Sequence, residues 1–466
     1  MRDYIDYFLC FCVSEGFVMA ARGGSVHGGQ VGGNVHPLPL PRRRLVESAA
    51  LSFSLRVDNF PHIRQAYGED AARAVLVQLT RRLSDALGVN GLVEPGPNGV
   101  MECLIWRHAG QLGNSVAECV DWLKRLCADA PLLPVETSVG SIHFALSADE
   151  LISASAMPTV TSVLGQVGGG FAGDVARPDS GWAEQYRSDM AMASGLLTGL
   201  GSKGGDAEPV LAWQPVRDAD RAAEAGGSEG VLYWEGCLRH IDRDGQASSL
   251  EGALGALERL GFIRLLDHRV VAMALDELDR QPGEVTIGVN ISARSAALDY
   301  LWEETVQRLR QEPWLARRLV VEITETSAIP NMSEAVRLVD HLRSLGCRIA
   351  IDDFGTGYAS VRNVMALSPD FVKIDRFFLH YASYGEVQQG IFEHLAGLAW
   401  SLGATVIAEG VETAEQAELA AKAGCRWQQG FFWGRPSLSR PRSFEAGQAG
   451  AAVHASIAPS SMAVGQ

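Results

Sequence analysis

Residues 320–325 read Val-Val-Glu-Ile-Thr-Glu, residues 348–353 read Arg-Ile-Ala-Ile-Asp-Asp, and residues 371–375 read Phe-Val-Lys-Ile-Asp. Each is a short β-branched run with a charged side chain toward its carboxyl end. The same rhythm recurs at 285–291 and 405–408, where Asn290 and Glu409 hold the equivalent positions. Between these runs lie longer stretches, among them 332–345 and 387–402, each long enough for a helix with an apolar stripe. Short strands alternating with longer helices predict repeated βα units and a mainly parallel sheet, closed as a barrel or left open. In a (β/α)8 barrel the carboxyl ends of the strands converge on one face, where active sites are built.

A single acid at a strand end means little, because helix N-caps favour Asp there. Five consecutive units that each deliver a polar group to one rim carry a stronger signal. Gathered together, Glu235, Asn290, Glu322, Asp352, Asp353 and Glu409 amount to five carboxylates and one amide oxygen. Like charges about 4 Å apart repel by several kcal/mol at an effective dielectric of about 20, so such a pocket must take up protons or cations. An all-oxygen set without Cys or His selects hard ions, Mg2+ or Mn2+. Two such ions side by side suit in-line attack on a phosphodiester.

From Trp213-Gln-Pro-Val216 to Gly430-Phe-Phe-Trp-Gly-Arg-Pro436 the chain carries, in order, VNIS, EITE, DDFGTGYAS, VKID, AEGVE and QQGFFWGRP. Over that half it resembles an EAL domain. The resemblance implies an α/β fold, a modified TIM-like (β/α)8 barrel that opens c-di-GMP to linear pGpG with two Mg2+ or Mn2+ ions. It implies that Glu235, Asn290, Glu322 and Asp352 ligate one ion, and Asp352, Asp353 and Glu409 the second. Glu409 then doubles as the base acting on the attacking water, with Lys373 and Gln429 holding the same network. Glu325 braces the loop that begins Asp353-Phe-Gly-Thr-Gly-Tyr358, Arg239 meets a phosphate oxygen and Gln214 approaches a guanine edge. A homodimer is the oligomer the resemblance implies.

The chain departs from the family pattern at Glu235-Gly236-Cys237, where Ala and Leu usually follow the acid, at His240 in place of Trp, and over 251–258, which matches the usual lid poorly. The Gly236-Cys237 change, with the degenerate first domain described next, supports an alternative, a receptor that binds c-di-GMP without turnover. A scaffold that binds no nucleotide requires all the acids to be accidental.

Ahead of that segment, residues 46–175 predict an α+β domain: strands at 51–57, 101–106 and 136–143, helices at 71–87 and 115–127. Asp58, Phe60, Ile63 and Gly68 resemble the early motif of a GGDEF domain. The resemblance is one of outline, since Arg56 stands for the first metal-binding aspartate, Arg64-Gln65 for Asn-Asp, and Asn98-Gly-Val-Met-Glu102 for the signature. It implies a degenerate domain without cyclase chemistry, in a regulatory or dimer-supporting role. Residues 176–208 read as a linker with a helix near 186–198, residues 209–445 as the second domain, and 1–45 and 446–466 as flexible tails.

The 466 residues are 47% hydrophobic and 20% charged, which suits two packed domains. A net charge of -15 excludes a broad DNA- or RNA-binding surface. The eight cysteines are scattered, without zinc-site spacing, as in a reducing cytoplasm. No apolar run reaches the roughly 18 residues of a membrane span. Asp3, Asp6 and Glu15 break the pattern of a signal peptide, so the opening segment reads as an extension or as sequence ahead of a start at Met19.

Overall fold

The computed structural model describes residues 51–105, 116–153, 181–201, 209–221, 230–241, 247–281, 283, 285–324, 327–356 and 361–438. Both tails, most of the connector and Glu325 lie outside the described residues. Among those described, no helix is long and apolar enough to cross a membrane.

The N-terminal part is built on β1 (Leu51–Val57), β2 (Gly91–Pro95), β3 (Val100–Ile105), a small hairpin of β4 (Val135–Thr137) and β5 (Gly140–Ile142), and β6 (Leu146–Ser153). Four of these form an antiparallel sheet in the order β2-β3-β1-β6. The alternation of β1 works as expected: Leu51, Phe53, Leu55 and Val57 are buried, while Ser52, Ser54 and Arg56 lie on the more open face. Helices Glu69–Leu87 and Val116–Asp129 cover the buried face with Val75, Leu79, Leu83 and Leu123. The strand expected at 136–143 is instead the β4–β5 hairpin, turned at Gly140, whose φ of 112° only glycine adopts readily. Strands β2 and β6 were not anticipated.

The helix expected within a linker is longer and buried. Helix Trp182–Gly201 inserts Met190, Ala193, Leu196 and Leu197 into one core with Leu257 and Leu260. It also ties the two parts by polar contacts. Asn59 Nδ2 donates to Tyr186 Oη at 3.2 Å, His143 Nε2 meets Ser194 Oγ at 2.9 Å, and Arg259 donates twice to buried Asp189, at 2.8 and 2.7 Å.

The C-terminal part contains β7 (Pro209–Asp218), β8 (Val231–Ile241), β9 (Ala247–Ser249), β10 (Ile287–Ser292), β11 (Leu319–Thr324), β12 (Arg348–Phe354), β13 (Phe371–Ile374), β14 (Thr405–Ala408) and β15 (Trp427–Gln428). The ring β7-β8-β10-β11-β12-β13-β14-β15 closes back on β7, so the sheet is an eight-stranded barrel and not an open sheet. It departs from a regular (β/α)8 barrel in one respect. Strand β7 runs antiparallel to both neighbours, because the first two strands form a hairpin rather than a βα unit. The remaining strands of the ring pair in parallel, and helices with sharp stops separate them, while the short β9 lies antiparallel against β8 outside the ring. Asn331 caps Met332–Leu345, which Gly346 ends in the left-handed conformation, and Thr413 with Gln416 forms a capping box on Ala414–Lys422.

Candidate metal centre

The alternation of the barrel strands builds the site. On their inner faces an apolar residue is followed, two positions nearer the carboxyl end, by a polar one: Tyr233 and Glu235, Val320 and Glu322, Ala350 and Asp352, Phe371 and Lys373, Ile407 and Glu409. Strand β7, being reversed, carries Val216 and then Gln214. The lower residues Val216, Tyr233, Val320, Ala350, Phe371 and Ile407 pack into an apolar plug. Above it lies a polar layer that has no counterpart among the described residues of the N-terminal sheet. Most of its members sit inside the strands, deeper than the strand-end positions expected from the sequence.

Lys373 is the centre of that layer and is fully buried. Its Nζ stands 3.0 Å from Glu235 Oε2, 2.7 Å from Glu322 Oε2, 3.1 Å from Asp352 Oδ1 and 2.9 Å from Glu409 Oε1. Amides complete the lattice. Asn290 Nδ2 donates to Glu235 Oε1 at 2.7 Å, and Gln429 Nε2 donates to Glu235 Oε2 at 2.5 Å and to Gln214 Oε1 at 3.2 Å. Gln214 Nε2 in turn donates to the carbonyl of Gly434 at 3.0 Å.

Asp353 should point away from Asp352, since neighbours on a strand face opposite sides. A register shift between Ile351 and Phe354, together with φ of 58° at Asp353, re-aims it. Bulges with a left-handed residue recur beside active sites for this purpose, and Asp tolerates the conformation better than most residues. The outcome is two groups, Glu235 with Glu322 and Asp352, and Asp352 with Asp353 and Glu409. Within each, one carboxylate oxygen per residue lies within 4.8 Å of the others.

The electrostatics follow from burial. Burial pushes Glu322 up to about 8 and Asp353 up to about 7, in both cases with repulsion from neighbouring carboxylates. Burial and then Asp352 hold Glu409 well above the usual range, and burial raises Asp352. Glu235 goes the other way: the Lys373 ammonium and the Gln429 and Asn290 amides outweigh its burial and lower it. Burial disfavours the Lys373 charge, but Asp352, Glu235, Glu322 and Glu409 overcome it and keep the ammonium protonated. One ammonium does not neutralise five carboxylates, so the set retains a demand for protons or cations. The Oδ1 of Asn290 is buried without a hydrogen-bond partner, as a ligand atom would be. The donors therefore fit hard divalent cations.

Other expected residues fall nearby. Arg239 lies four residues beyond Glu235 on the same face of β8 and donates to the carbonyl of Leu238 at 2.8 Å. Asp375 serves as a helix cap, accepting from Phe377 N at 2.8 Å. The two departures at 236 and 237 separate cleanly. Gly236 faces outward, where an added Cβ would meet Trp213, Val289 and Leu211 at 3.1–3.4 Å, so it alters packing and not the carboxylates. Cys237 faces inward with Sγ 3.9 Å from Glu235 Oε1, and burial beside that acid raises its thiol far enough to keep it neutral.

Sequence reading missed Tyr233 and Gly288. The Tyr233 ring fills the barrel axis, and a Cβ on Gly288 would collide with that ring and with the Glu322 carboxylate. The apolar-then-polar step repeated on successive strands was the available signal.

Residues 206–436 match the family model of the EAL domain. Cyclic di-GMP phosphodiesterase PdeL of Escherichia coli (strain K12) is 36% identical over 183 residues, which are 38% of this chain and 51% of PdeL. The bifunctional diguanylate cyclase/cyclic di-GMP phosphodiesterase MucR of Pseudomonas aeruginosa is 31% identical over 227 residues, 49% of this chain and 33% of MucR. Among solved structures, an EAL domain protein from Listeria monocytogenes EGD-e aligns with a TM-score of 0.44 and 24% identity, over 49% of this chain and 88% of that one. The chain thus spans about half or less of the length of these two curated relatives.

Proposed function

We propose that this protein hydrolyses c-di-GMP to linear pGpG, as a metal-dependent phosphodiesterase of the EAL type. The observation that carries the reading is the buried lattice in which four carboxylates converge on Lys373 while Asp353 is turned into the same rim. Glu235, Asn290, Glu322 and Asp352 would hold one Mg2+ or Mn2+, and Asp352, Asp353 and Glu409 the other. When bound, two such ions supply charge neutralisation at the phosphate and a lowered pKa for the attacking water.

The side chains do the rest. Glu409, held by Lys373, takes the proton of the water. Lys373 keeps Glu235, Glu322, Asp352 and Glu409 in one register and offers positive charge to the phosphate as its negative charge grows. Gln429 and Asn290 fix the orientation of Glu235. Arg239 pairs with a phosphate oxygen through its planar fork. Gln214 would approach a guanine edge, and engaging a base there means exchanging its bond to Gly434. To Glu325, outside the described residues, we assign the role of bracing the loop after Asp353.

Residues 46–175 are read as a degenerate GGDEF-like domain. In support, the segment that stands for its signature is a tight turn between β2 and β3, with Asn98 and Gly99 both at positive φ and no carboxylate at Asn98. Without acids for a triphosphate's metal, cyclisation of GTP has no electrostatic support. A homodimer in the cytoplasm is the assembly we infer, the dimer supported by the exposed Phe377, Tyr381, Tyr384 and Val387 on two neighbouring helices and the turn between them.

The test is incubation of the purified protein with c-di-GMP and Mg2+ or Mn2+, with pGpG followed by chromatography and Glu235→Ala as control. Product that requires Glu235 supports the enzyme. Tight binding without product would replace it with the receptor. Light scattering of Tyr384→Glu against the unmodified chain tests the dimer.

A further inference from the structure

Strand β13 delivers Lys373 and runs straight into helix Arg376–Ala382 through the cap Asp375. Arg376 and His380, four residues apart, share one face of that helix. This face lies on the turn that follows Glu409. A Cβ on Gly410 would fall on the side chain of Arg376, and His380 Nε2 stands 2.9 Å from the carbonyl oxygen of Gly410. A carbonyl only accepts, so in this contact Nε2 is the donor.

The main chain on the other side of Glu409 is tied to the same segment. Glu409 N donates to the carbonyl of Ile374 at 3.1 Å. Glu409 is thus referenced on both sides to the short stretch that also carries its partner, Lys373, 2.9 Å away. The tie at Gly410 matters because that residue has φ of 65°, and glycine passes between backbone basins with little hindrance. Nothing intrinsic to Gly410 stops the peptide plane between Gly410 and Val411 from rotating. Two outside contacts hold it, His380 at the Gly410 carbonyl and the bond from Val411 N to the carbonyl of Gln429 at 3.0 Å.

We propose that His380 is a positioning residue for Glu409, acting through the carbonyl of Gly410. It touches neither substrate nor ions. It fixes the backbone from which the Glu409 carboxylate is aimed at Lys373. The catalytic consequence rests on the proposed phosphodiesterase reading, whereas the backbone tie does not.

The experiment compares the unmodified chain with His380→Leu, which cannot donate, and His380→Gln, whose amide reaches to a similar distance and can. With c-di-GMP and Mn2+, His380→Leu is expected to lose roughly tenfold in kcat, the scale on which misplacement of a reacting group is felt. KM should stay within about twofold, as for a group that acts only on the chemical step. His380→Gln should recover at least about half of the lost rate on the same argument. In parallel, amide hydrogen exchange of the peptide covering 405–413, without nucleotide or metal, should speed up in His380→Leu and stay unchanged in His380→Gln. Equal exchange in all three chains overturns the proposal, as does a His380→Leu enzyme with unmodified kcat or a His380→Gln enzyme as slow as His380→Leu. If the unmodified chain releases no pGpG while exchange separates Leu from Gln, the tie at Gly410 stands and the phosphodiesterase reading falls.

Discussion

The N-terminal sheet and the barrel are made from the same alternating strands, yet they treat charge in opposite ways. In the open sheet one face is apolar and packed, and its acid at the end of β1, Asp58, settles locally with Ser147 Oγ at 2.6 Å and Arg56 Nε at 3.3 Å. In the barrel the inner faces of eight strands converge on one axis, so side chains from residues 214 to 429 meet. Closure turns a row of inward polar residues into a single buried cluster. An open sheet disperses them.

The largest break in that contrast is Lys373→Met. Removing the ammonium leaves buried carboxylates facing one another, and loss of one partner of a buried ion pair typically costs about 3–5 kcal/mol. Activity should fall by about 10²–10³. Urea unfolding and pGpG release measure the two effects, and added Mn2+ should restore part of the stability. Unchanged stability would mean that Lys373 is not the centre of the cluster.

Next in size is the competition between protons and cations. Glu322, raised to about 8, and Asp353, raised to about 7, hold protons near neutrality. A cation must displace them, so Mn2+ affinity should rise with pH, by tenfold or more between about pH 6 and pH 8. Calorimetric titration across that range checks it. A flat profile would detach the cluster from metal binding.

The joint between the two halves should yield a smaller effect. Asp189→Ala removes the acceptor of the Arg259 fork and should cost about 1–2 kcal/mol, since Arg259 is half exposed. Thermal unfolding shows whether the halves then separate into two transitions. One shared transition at the original midpoint would deny the contact any role.

The smallest expected effect concerns Asp267, buried in the barrel half outside the cluster. It accepts from Ser292 N at 2.8 Å and Ser295 Oγ at 2.5 Å, and burial raises it from 3.8 to about 7. The folded state binds the proton more tightly, so this contribution is complete below about pH 4 and is lost as pH rises through about 7. Between pH 6 and pH 7 the loss should be about 1 kcal/mol at most. Asp267→Asn should flatten that slope in urea titrations.

Much of the barrel was legible because strand and helix periods differ so plainly. Strands β13 and β14 and helix Met332–Leu345 begin and end where the patterning says. The hairpin of β7 and β8 was not legible as the closing element. Its residues share the β-branched and aromatic character of the others, and direction within a sheet leaves no mark on composition. The expected strand at 136–143 failed for a related reason: the turn at Gly140 interrupts a run that alternates well on either side.

The site was partly legible. Glu235, Asn290, Glu322, Asp352, Asp353, Lys373, Glu409 and Gln429 stand in the sequence as polar residues at the ends of apolar runs, and the structure brings them together. What a one-dimensional reading cannot supply is depth. Lys373 belongs on the surface by composition alone and lies in the middle of the barrel by geometry. Gly236 and Cys237 are neighbours with equal weight in the sequence, but one faces the outer core and the other faces Glu235.

The sequence by itself determined the period of each segment and the chemical kind of each polar group, because both are local properties of the chain. Tertiary structure alone decided that the ring closes through an antiparallel strand, that Asp353 turns back toward Asp352, and that His380 reaches the turn after Glu409. Those three depend on how separate strands and helices approach in space, which no window of sequence contains.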